Sequence, residues 1–543
     1  MPTLSTQLRG IETTVASARA RSTTTALSPL PDVLGLFARL TEDGSRPGCL
    51  LLESMATGAP GGRRSLLLPE PLLRVQLHGP RLTLTPLDDR GRRLLPLLAD
   101  HLDATLIDDS ATTTLRLTDA DPTQPDHERL VGASPLDALR SLVTALDDDG
   151  PTLLPVLLGG SFGHDLVDLL DGRSERAGDA DPELSLVLAV DGLLVDHERD
   201  EVTTVVRTLE GPGIDALAER RSADTRLVRY LQALDATAPA TPGPEPTSQP
   251  GLLPFTSDLS DDAFLDGVRS LQRSIAEGEV FQAVLSRRLT TESDASPLRV
   301  YHHLRRRNPS PHGFFFDLGD GVLLGASPET CVSVRDGKVT ITPIAGTTRR
   351  GRGSDGAIDA EVDARRAVSL LLDEKEQAEH VMLVDLARND VARCCVPGTR
   401  RVEAPLSLAS YSQVHHVTTR VTGTLRPELD ALDAYRACAN MGTVTGAPKR
   451  RAVELLRPLE ASVRATYAGG LGYLGVDGTL DTCLVIRALR QRRRTSEQPA
   501  RYESRAGAGV VADSRPEAEL QETLDKARAP LLALAEADAE LRR

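Results

Sequence analysis

Residues 329–343 read ETCVSVRDGKVTITP. Two short runs in which apolar and polar residues alternate flank Asp336-Gly337, the kind of pair that closes a tight turn between antiparallel strands. Similar strand-like runs come in groups: RVQLHGPRLTLTPL at 74–87, LSLVLAVDGLLVDH at 184–197, VTITPIAGT at 339–347 and ESRAGAGVV at 503–511. Helical stretches such as SPLDALRSLVTAL (134–146) are interspersed, and ARRAVSLLLDEKEQAEHVMLVDLARND (364–390) has the 3.6-residue period of one long helix. Strands grouped in hairpins, without strict alternation with helices, predict an α+β fold with antiparallel sheets instead of a doubly wound one. The stretch 236–254, ATAPATPGPEPTSQPGLLP, cannot form a regular element and is expected to link an N-terminal domain, 1–235, to a second one, 255–535.

A chain of 543 residues, 40% hydrophobic and 26% charged, has ample material for a core and is long for one packed unit. Its net charge of −15 argues against nucleic-acid or anionic-membrane partners. An anionic substrate would need local positive charge set against that background. The six cysteines show neither metal-ligand spacing nor a disulfide framework, which suggests a reducing compartment. No apolar run approaches a membrane span. The first 25 residues are rich in Ser, Thr and Arg, a little like a transit peptide, but lack a hydrophobic region, so the cytoplasm is the expected location. Lysine occurs only at 338, 375, 449 and 526, so each surviving copy points mildly to a place where a compact charge is wanted.

Two of those lysines sit beside paired carboxylates. Glu376 and Glu379 share a helix face, and so do Glu519 and Glu522, in a helix expected to open at Pro516 behind a cap at Asp513 or Ser514. Like charges at that spacing destabilise a helix by roughly 0.2–0.5 kcal/mol unless a cation or solvent relieves them. Either pair alone reads as a solvated face; two pairs together could hold one hard cation such as Mg²⁺.

The segments PIAGTTRRG (343–351), HVMLVDLARND (380–390), MGTVTGAPK (441–449), YAGGLGYL (467–474), LDTCLVIR (480–487) and AGAGVVADS (506–514) follow in order. As a set the sequence resembles the chorismate-utilising enzymes, most closely the large subunits of anthranilate synthases. The resemblance is dense from about 265 to 530 and thinner in LLLES (50–54) and LLGGSFGHDLV (157–167). It implies two antiparallel sheets packed as a sandwich with helices outside. It also implies a lyase that converts chorismate and ammonia to anthranilate and pyruvate, the first committed step of tryptophan biosynthesis.

The resemblance further implies roles. Mg²⁺ would be held by Glu379 and Glu522, with Glu376 and Glu519 on it or just behind. Glu329 would be the general acid for the departing ring hydroxyl, a role that needs a raised pKa. Tyr467 and Arg487 would grip the pyruvyl carboxylate, with Gly507 and Gly509 admitting backbone N–H groups and Lys526 adding a point charge. His416 and Thr443 match positions near the ring, His416 for acid–base work in pyruvate elimination. From the residues alone other readings stay open: Gly507-x-Gly509 as a bulge, Arg487 as an ordinary ion pair, His415 or His416 as a polar rim residue.

Gln282 stands where the water-adding relatives carry a lysine base, and Ala345 stands where the aminodeoxychorismate synthases carry a trapping lysine. Both favour ammonia as nucleophile. No cysteine sits in the setting of an amidotransferase nucleophile, so a separate amidotransferase subunit is the expected ammonia source. Glu53 and Ser54, with Pro311, His312, Gly313, Phe314 and Cys483, resemble the family's tryptophan feedback site. His312 and Gly313 replace the usual Tyr and Met, which would weaken or retune inhibition. An aminodeoxyisochorismate synthase that keeps the enolpyruvyl group, and a catalytically silent amino-acid sensor, are the alternatives.

Overall fold

The computed structural model describes residues 16–542 apart from 28, 56–62, 108, 116–129, 131, 133, 149–152, 171–180, 240–250, 354–356, 411–413, 497 and 498. Asp336 and Gly337 turn the chain with φ of 50° and 68°. Positive φ at both positions is what a two-residue hairpin turn requires, and Asp-Gly tolerates it well. The strands it joins, Thr330–Arg335 and Lys338–Ile341, pair antiparallel with Arg335 opposite Lys338.

Among the described residues, that hairpin lies in one of two 13-stranded sheets. Pairing among the described strands is antiparallel apart from Ala16–Ala26 with Leu146–Asp148. Both sheets run through the two halves of the sequence. In the first, His312–Asp317 pairs with Leu50–Glu53. In the second, Gly470–Gly475 pairs with Leu157–Phe162. Strands from before and after the 236–254 stretch therefore share ladders in both sheets. Most of that stretch lies outside the described residues, as do the first 15.

Leu50, Leu68, Phe314 and Phe316 of the first sheet meet Leu157, Val187 and Leu471 of the second in a buried layer. The other face of the first sheet is covered by helices Val33–Thr41, Ala216–Ala236, Pro297–Arg307 and Pro516–Leu541. The other face of the second is covered by Asp89–His101, Leu136–Thr144, Ala431–Cys438 and part of Glu374–Cys394. The arrangement is helices, sheet, sheet, helices, as the family resemblance implies. Among the described residues no helix is long and apolar enough to cross a membrane.

Three local expectations need correcting. The single long helix is two, Ala360–Leu372 and Glu374–Cys394, broken at Asp373. The Asp373 carboxylate accepts from the N–H groups of Lys375 and Glu376, so a favourable cap wins over an apolar period that continues past it. The C-terminal helix does begin at Pro516, but its cap is Arg515, without a side-chain hydrogen bond; Ser514 Oγ instead accepts from Val511 N–H. The runs within 184–197 are strands that do not pair with each other: Leu184–Ala189 is in the second sheet and Gly192–Asp196 in the first.

Phe316 is fully buried between the sheets, against Gly160 of the facing one, where an added Cβ would lie 3.0 Å from the Phe316 ring. Phe316→Ala is expected to destabilise the fold by about 3–5 kcal/mol through lost burial and an unfilled cavity, read by denaturant unfolding.

Candidate active site

Two places where the chain steps from one sheet to the other lie side by side. Gly321–Ser327 belongs to the first sheet and Thr330–Arg335 to the second, so Pro328 and Glu329 form one crossing. Leu480–Leu484 and Ala488–Arg492 make the other, with Arg487 in it. Leu484 N–H donates to Glu329 O at 3.0 Å and Ala326 N–H to Arg487 O at 3.2 Å, which ties the crossings together. Arg487 has a φ of 53°, a left-handed conformation that costs a non-glycine residue roughly 1–2 kcal/mol.

Glu329 is buried and its Oε1 has no hydrogen-bond partner. Burial pushes its carboxyl up to about 7, while the nearby Thr443 hydroxyl and Lys526 ammonium pull the other way. Thr443 Oγ1 is likewise buried without a hydrogen bond of normal geometry. Thr443 is carried by the 441–449 loop, which is pinned to strand Gln282–Glu292 by Val284 N–H to Thr445 O at 3.0 Å. Lys526, on the C-terminal helix, donates to Gly507 O at 2.9 Å and pairs with Glu522 at 2.6 Å.

Arg487 makes no ion pair among the described residues, so the open alternative of an ordinary pair is not realised. Burial lowers its pKa against the raising fields of Tyr467, Glu522 and Asp525. A desolvated, unpaired guanidinium is a ready carboxylate receptor. Tyr467 lies beside it: the Tyr467 hydroxyl would be 2.9 Å from a Cβ at 507, so only glycine admits it there. Gly507 and Gly509 sit in an unbroken ladder opposite Ser286 and Val284, with no bulge. Gln282 Nε2 would be 3.1 Å from a Cβ at 509, which puts the amide at the same strand edge.

The two histidines divide cleanly. His415 is satisfied by Asp363 at 2.9 Å and Ser410 at 2.8 Å. His416 is buried, and its pKa falls to about 4, chiefly through burial, with Arg487 and His415 adding to the effect, so its ring is neutral at neutral pH.

The four glutamates come from Glu374–Cys394 and Pro516–Leu541. Glu376 has its pKa raised by burial and then by Glu379 and, from the other helix, Glu522. Glu519 is raised by burial and by Glu522, and its Oε2 is buried without a partner. Glu379 pairs with Lys375 at 3.3 Å. Among the described residues no three His, Cys, Asp or Glu side chains are gathered as a metal-ligand set. The two pairs nevertheless share a field that an added cation would relieve. Mg²⁺ commonly takes only one or two protein carboxylates, so this donor set fits it.

The expected effector residues are only partly gathered. Glu53 is opposite Gly313 in the ladder and is held by Tyr301 OH at 2.7 Å and Arg305 at 3.0 Å. A Cβ at 313 would lie 2.5 Å from Met55 Cε and 2.6 Å from Tyr301 OH. A thioether from residue 55 therefore fills the space that Gly313 leaves. Ser54 Oγ is buried without a partner. Pro311 is buried, and His312 bonds Thr330 at 3.0 Å. Successive strand residues face opposite ways, and Phe314 and Cys483 belong to the layer between the sheets.

Sequence reasoning missed Arg305 and Tyr301, and also the support beneath Tyr467. Arg464 pairs with Glu460 at 2.7 Å, donates to Val444 O and Val284 O, and lies 5.8 Å from the Tyr467 ring centre. The i,i+4 spacing of Glu460 and Arg464 just before YAGG was the available signal. The GHD of 163–165 acts here too: His164 N–H donates to Ala465 O, and Ala465 N–H to the Asp165 carboxylate at 2.9 Å.

A fold of two helix-covered sheets, with a buried acid and a desolvated arginine at their crossings, marks an enzyme acting on a small carboxylate. The model of chorismate binding enzymes matches residues 98–532, and the chain belongs to that family. It is 40% identical over 500 residues to anthranilate synthase component 1 of Salmonella typhimurium, covering 91% of this chain and 93% of that one. It is 41% identical over 500 residues to the pyocyanine-specific anthranilate synthase component 1 of Pseudomonas aeruginosa, covering 90% and 91%. Anthranilate synthase component I of Streptococcus pneumoniae superposes with a TM-score of 0.62 at 28% identity, covering 87% of this chain and 92% of that one. The menaquinone-specific isochorismate synthase of Escherichia coli shares the fold, with a TM-score of 0.63 at 17% identity over 98% of each chain.

Carboxyl-labelled glutamate NMR on the free protein is expected to show Glu329 titrating near pH 7. Lys526→Met removes a charge that favours the carboxylate, so the midpoint should rise; an unchanged or lower midpoint would separate the two residues.

Proposed function

We propose that this chain is the large subunit of an anthranilate synthase, a lyase that converts chorismate and ammonia to anthranilate and pyruvate. The observation that carries the reading is the buried Glu329 carboxyl, raised to about 7 and with an unpartnered oxygen, on a crossing hydrogen-bonded to the one that carries Arg487, which has no ion pair among the described residues. Relatives named for this activity align along nine-tenths of the chain.

Chorismate carries two carboxylates. Arg487, with Tyr467 and the backbone N–H groups around Gly507 and Gly509, would clamp the pyruvyl one. Mg²⁺ bound by Glu379 and Glu522, with Glu376 and Glu519 behind them, would neutralise the ring carboxylate. Protonated Glu329 would give its proton to the ring hydroxyl, which leaves as water while ammonia forms the new C–N bond. Lys526 would stabilise the carboxylate that remains on Glu329. Gln282 offers an amide and no base, which suits ammonia because its lone pair needs no deprotonation. His416, neutral at neutral pH, would accept the ring proton as the enolpyruvyl C–O bond breaks and the ring becomes aromatic. Thr443 would orient the ring hydroxyl toward Glu329.

All six cysteines are buried and free. With no exposed thiol nucleophile in this chain, ammonia from glutamine would come from a separate amidotransferase subunit. Purified chain with chorismate, Mg²⁺ and ammonium should form fluorescent anthranilate, and glutamine alone should not support the reaction. A non-fluorescent aminated product retaining the enolpyruvyl group would instead identify an aminodeoxyisochorismate synthase. Because Glu329 acts in its protonated form, kcat/KM should fall about tenfold per pH unit above roughly pH 7. Glu329→Gln should lower kcat by about 10²–10⁴-fold and abolish that limb; a retained limb would assign it to another group.

Tryptophan is proposed as the inhibitor, at the pocket of Glu53, Ser54 and Met55. Arg305 already neutralises Glu53, so the carboxylate has less to offer an ammonium group. Met55 supplies the thioether that residue 313 lacks. Met55→Ala should raise the tryptophan concentration for half-inhibition several-fold with kcat unchanged, and an unaltered inhibition curve would place the effector elsewhere.

A further inference from the structure

A cavity of about 1570 Å³ opens beside the effector residues Glu53, Ser54 and Met55 and extends to Val414 and Arg528. Ten arginines line it against four carboxylic acids, in a chain whose net charge is −15. Most of those acids are already committed: Glu53 and Asp32 pair with Arg305, and Glu536 with Arg307. Arg350 is taken by Asp363. Arg39, Arg63, Arg349, Arg366 and Arg528 pair with no carboxylate among the described residues. Among the described residues Arg366 donates to the backbone carbonyls of 349 and 350, and Arg63 Nε is buried without a partner. The wall histidine His197 has its pKa lowered to about 4 by burial and by Arg63 and Arg305, which reports the same positive field.

The cavity adjoins the catalytic groups on two sides. Val414 lines it and is opposite Arg349 in the ladder. His416 is two residues further along the same strand, on the same face and one repeat of about 7 Å away. On the C-terminal helix, Asp525, Arg528 and Ala529 line the cavity while Lys526, beside them, reaches Gly507.

We infer that this cavity is the capture vestibule for a dicarboxylate substrate, with Arg349, Arg366 and Arg528 as its recognition charges. Resting on the chorismate reading above, the inference assigns the three arginines a part in binding and none in the chemical step. A chain of net charge −15 repels a dianion at long range. A walled, cationic cavity reverses that field locally and concentrates the ligand at the entrance to Arg487 and Lys526. Arginine suits the task because its planar fork matches a carboxylate and it keeps its charge at any working pH.

The test compares Arg349→Gln/Arg366→Gln/Arg528→Gln with the corresponding triple lysine variant, which keeps the charges, in full-length protein with Mg²⁺. Chorismate affinity is read by titration calorimetry at several salt concentrations, and turnover by anthranilate fluorescence; thermal unfolding checks the fold. The glutamine variant is expected to bind chorismate roughly tenfold more weakly, with kcat unchanged and a shallower salt dependence. The lysine variant should recover most of the affinity. Wild-type affinity in the glutamine variant, equal loss in both variants, a fall in kcat alone, or an effect confined to tryptophan inhibition would each overturn the inference. Arginine-dependent chorismate binding without anthranilate formation would uphold the vestibule and defeat the proposed reaction.

Discussion

The paired hydrogen bonds between the two sheet crossings, Leu484 to Glu329 and Ala326 to Arg487, hold the site together. At these points the backbone leaves one ladder and joins the other, so the residues within it cannot bond as a strand does. The crossings satisfy each other instead, because an unpaired buried backbone group is costly. Two consequences follow. The spacing of the sheets is fixed where Phe314 and Phe316 interlock with Leu157 and Leu471. An acid and an arginine are also delivered side by side, one from each of the two adjacent crossings. The positive φ of Arg487 is the local cost of that delivery.

Around that junction, charge is arranged so that some groups are satisfied and others are left waiting. Glu460, Arg464 and Arg505 form a closed set beneath Tyr467, and Asp390 is answered by Lys449 at 2.7 Å. These buried pairs support position, and removing one partner would strand the other. Among the described residues, Glu329 and Glu519 each keep one buried oxygen without a hydrogen bond and Arg487 has no ion pair. Desolvating a polar group without a partner costs free energy that a fold would ordinarily avoid. Its recurrence at three positions around Lys526 and Glu522 is the physical mark of a place shaped for something absent from the chain itself.

The sequence made the sheets legible because their signals are local. Asp336-Gly337 needs only its two neighbours to form a turn, and it forms one in the register expected. The break at Asp373 was hidden by the apolar period of Leu370, Leu371 and Leu372, although Asp followed by two acidic residues and a lysine is itself a cap signal. Non-local facts were out of reach. Nothing in LSLVLAVDGLLVDH says that its two strands enter different sheets. Glu329, Arg487 and His416 could be named only from the motifs of the family, since their roles depend on burial and on neighbours from other elements of the fold. The choice between His415 and His416 needed the fold, because only the fold shows that Asp363 and Ser410 hold the His415 ring. Arg305, which neutralises Glu53, gave no signal amid a run of arginines at 305–307.

The scarcity of lysine acquires a physical sense at this site. Where a charge must hold an exposed carboxylate, as at Lys338 with Glu403, arginine would have served equally well. Lys526 differs: its single ammonium reaches Gly507 O and Glu522 and still acts on Glu329. A planar fork at that position would have to orient in one plane, whereas an ammonium presents three donors around a point. Inside the site, where Gly507 admits Tyr467 at close range, that compactness matters. In the wider cavity outside it, Arg349, Arg366 and Arg528 face open volume, and a broad, permanently charged group has room. The two basic side chains are thus divided by the space available: lysine beside the buried acid, arginine along the approach to it.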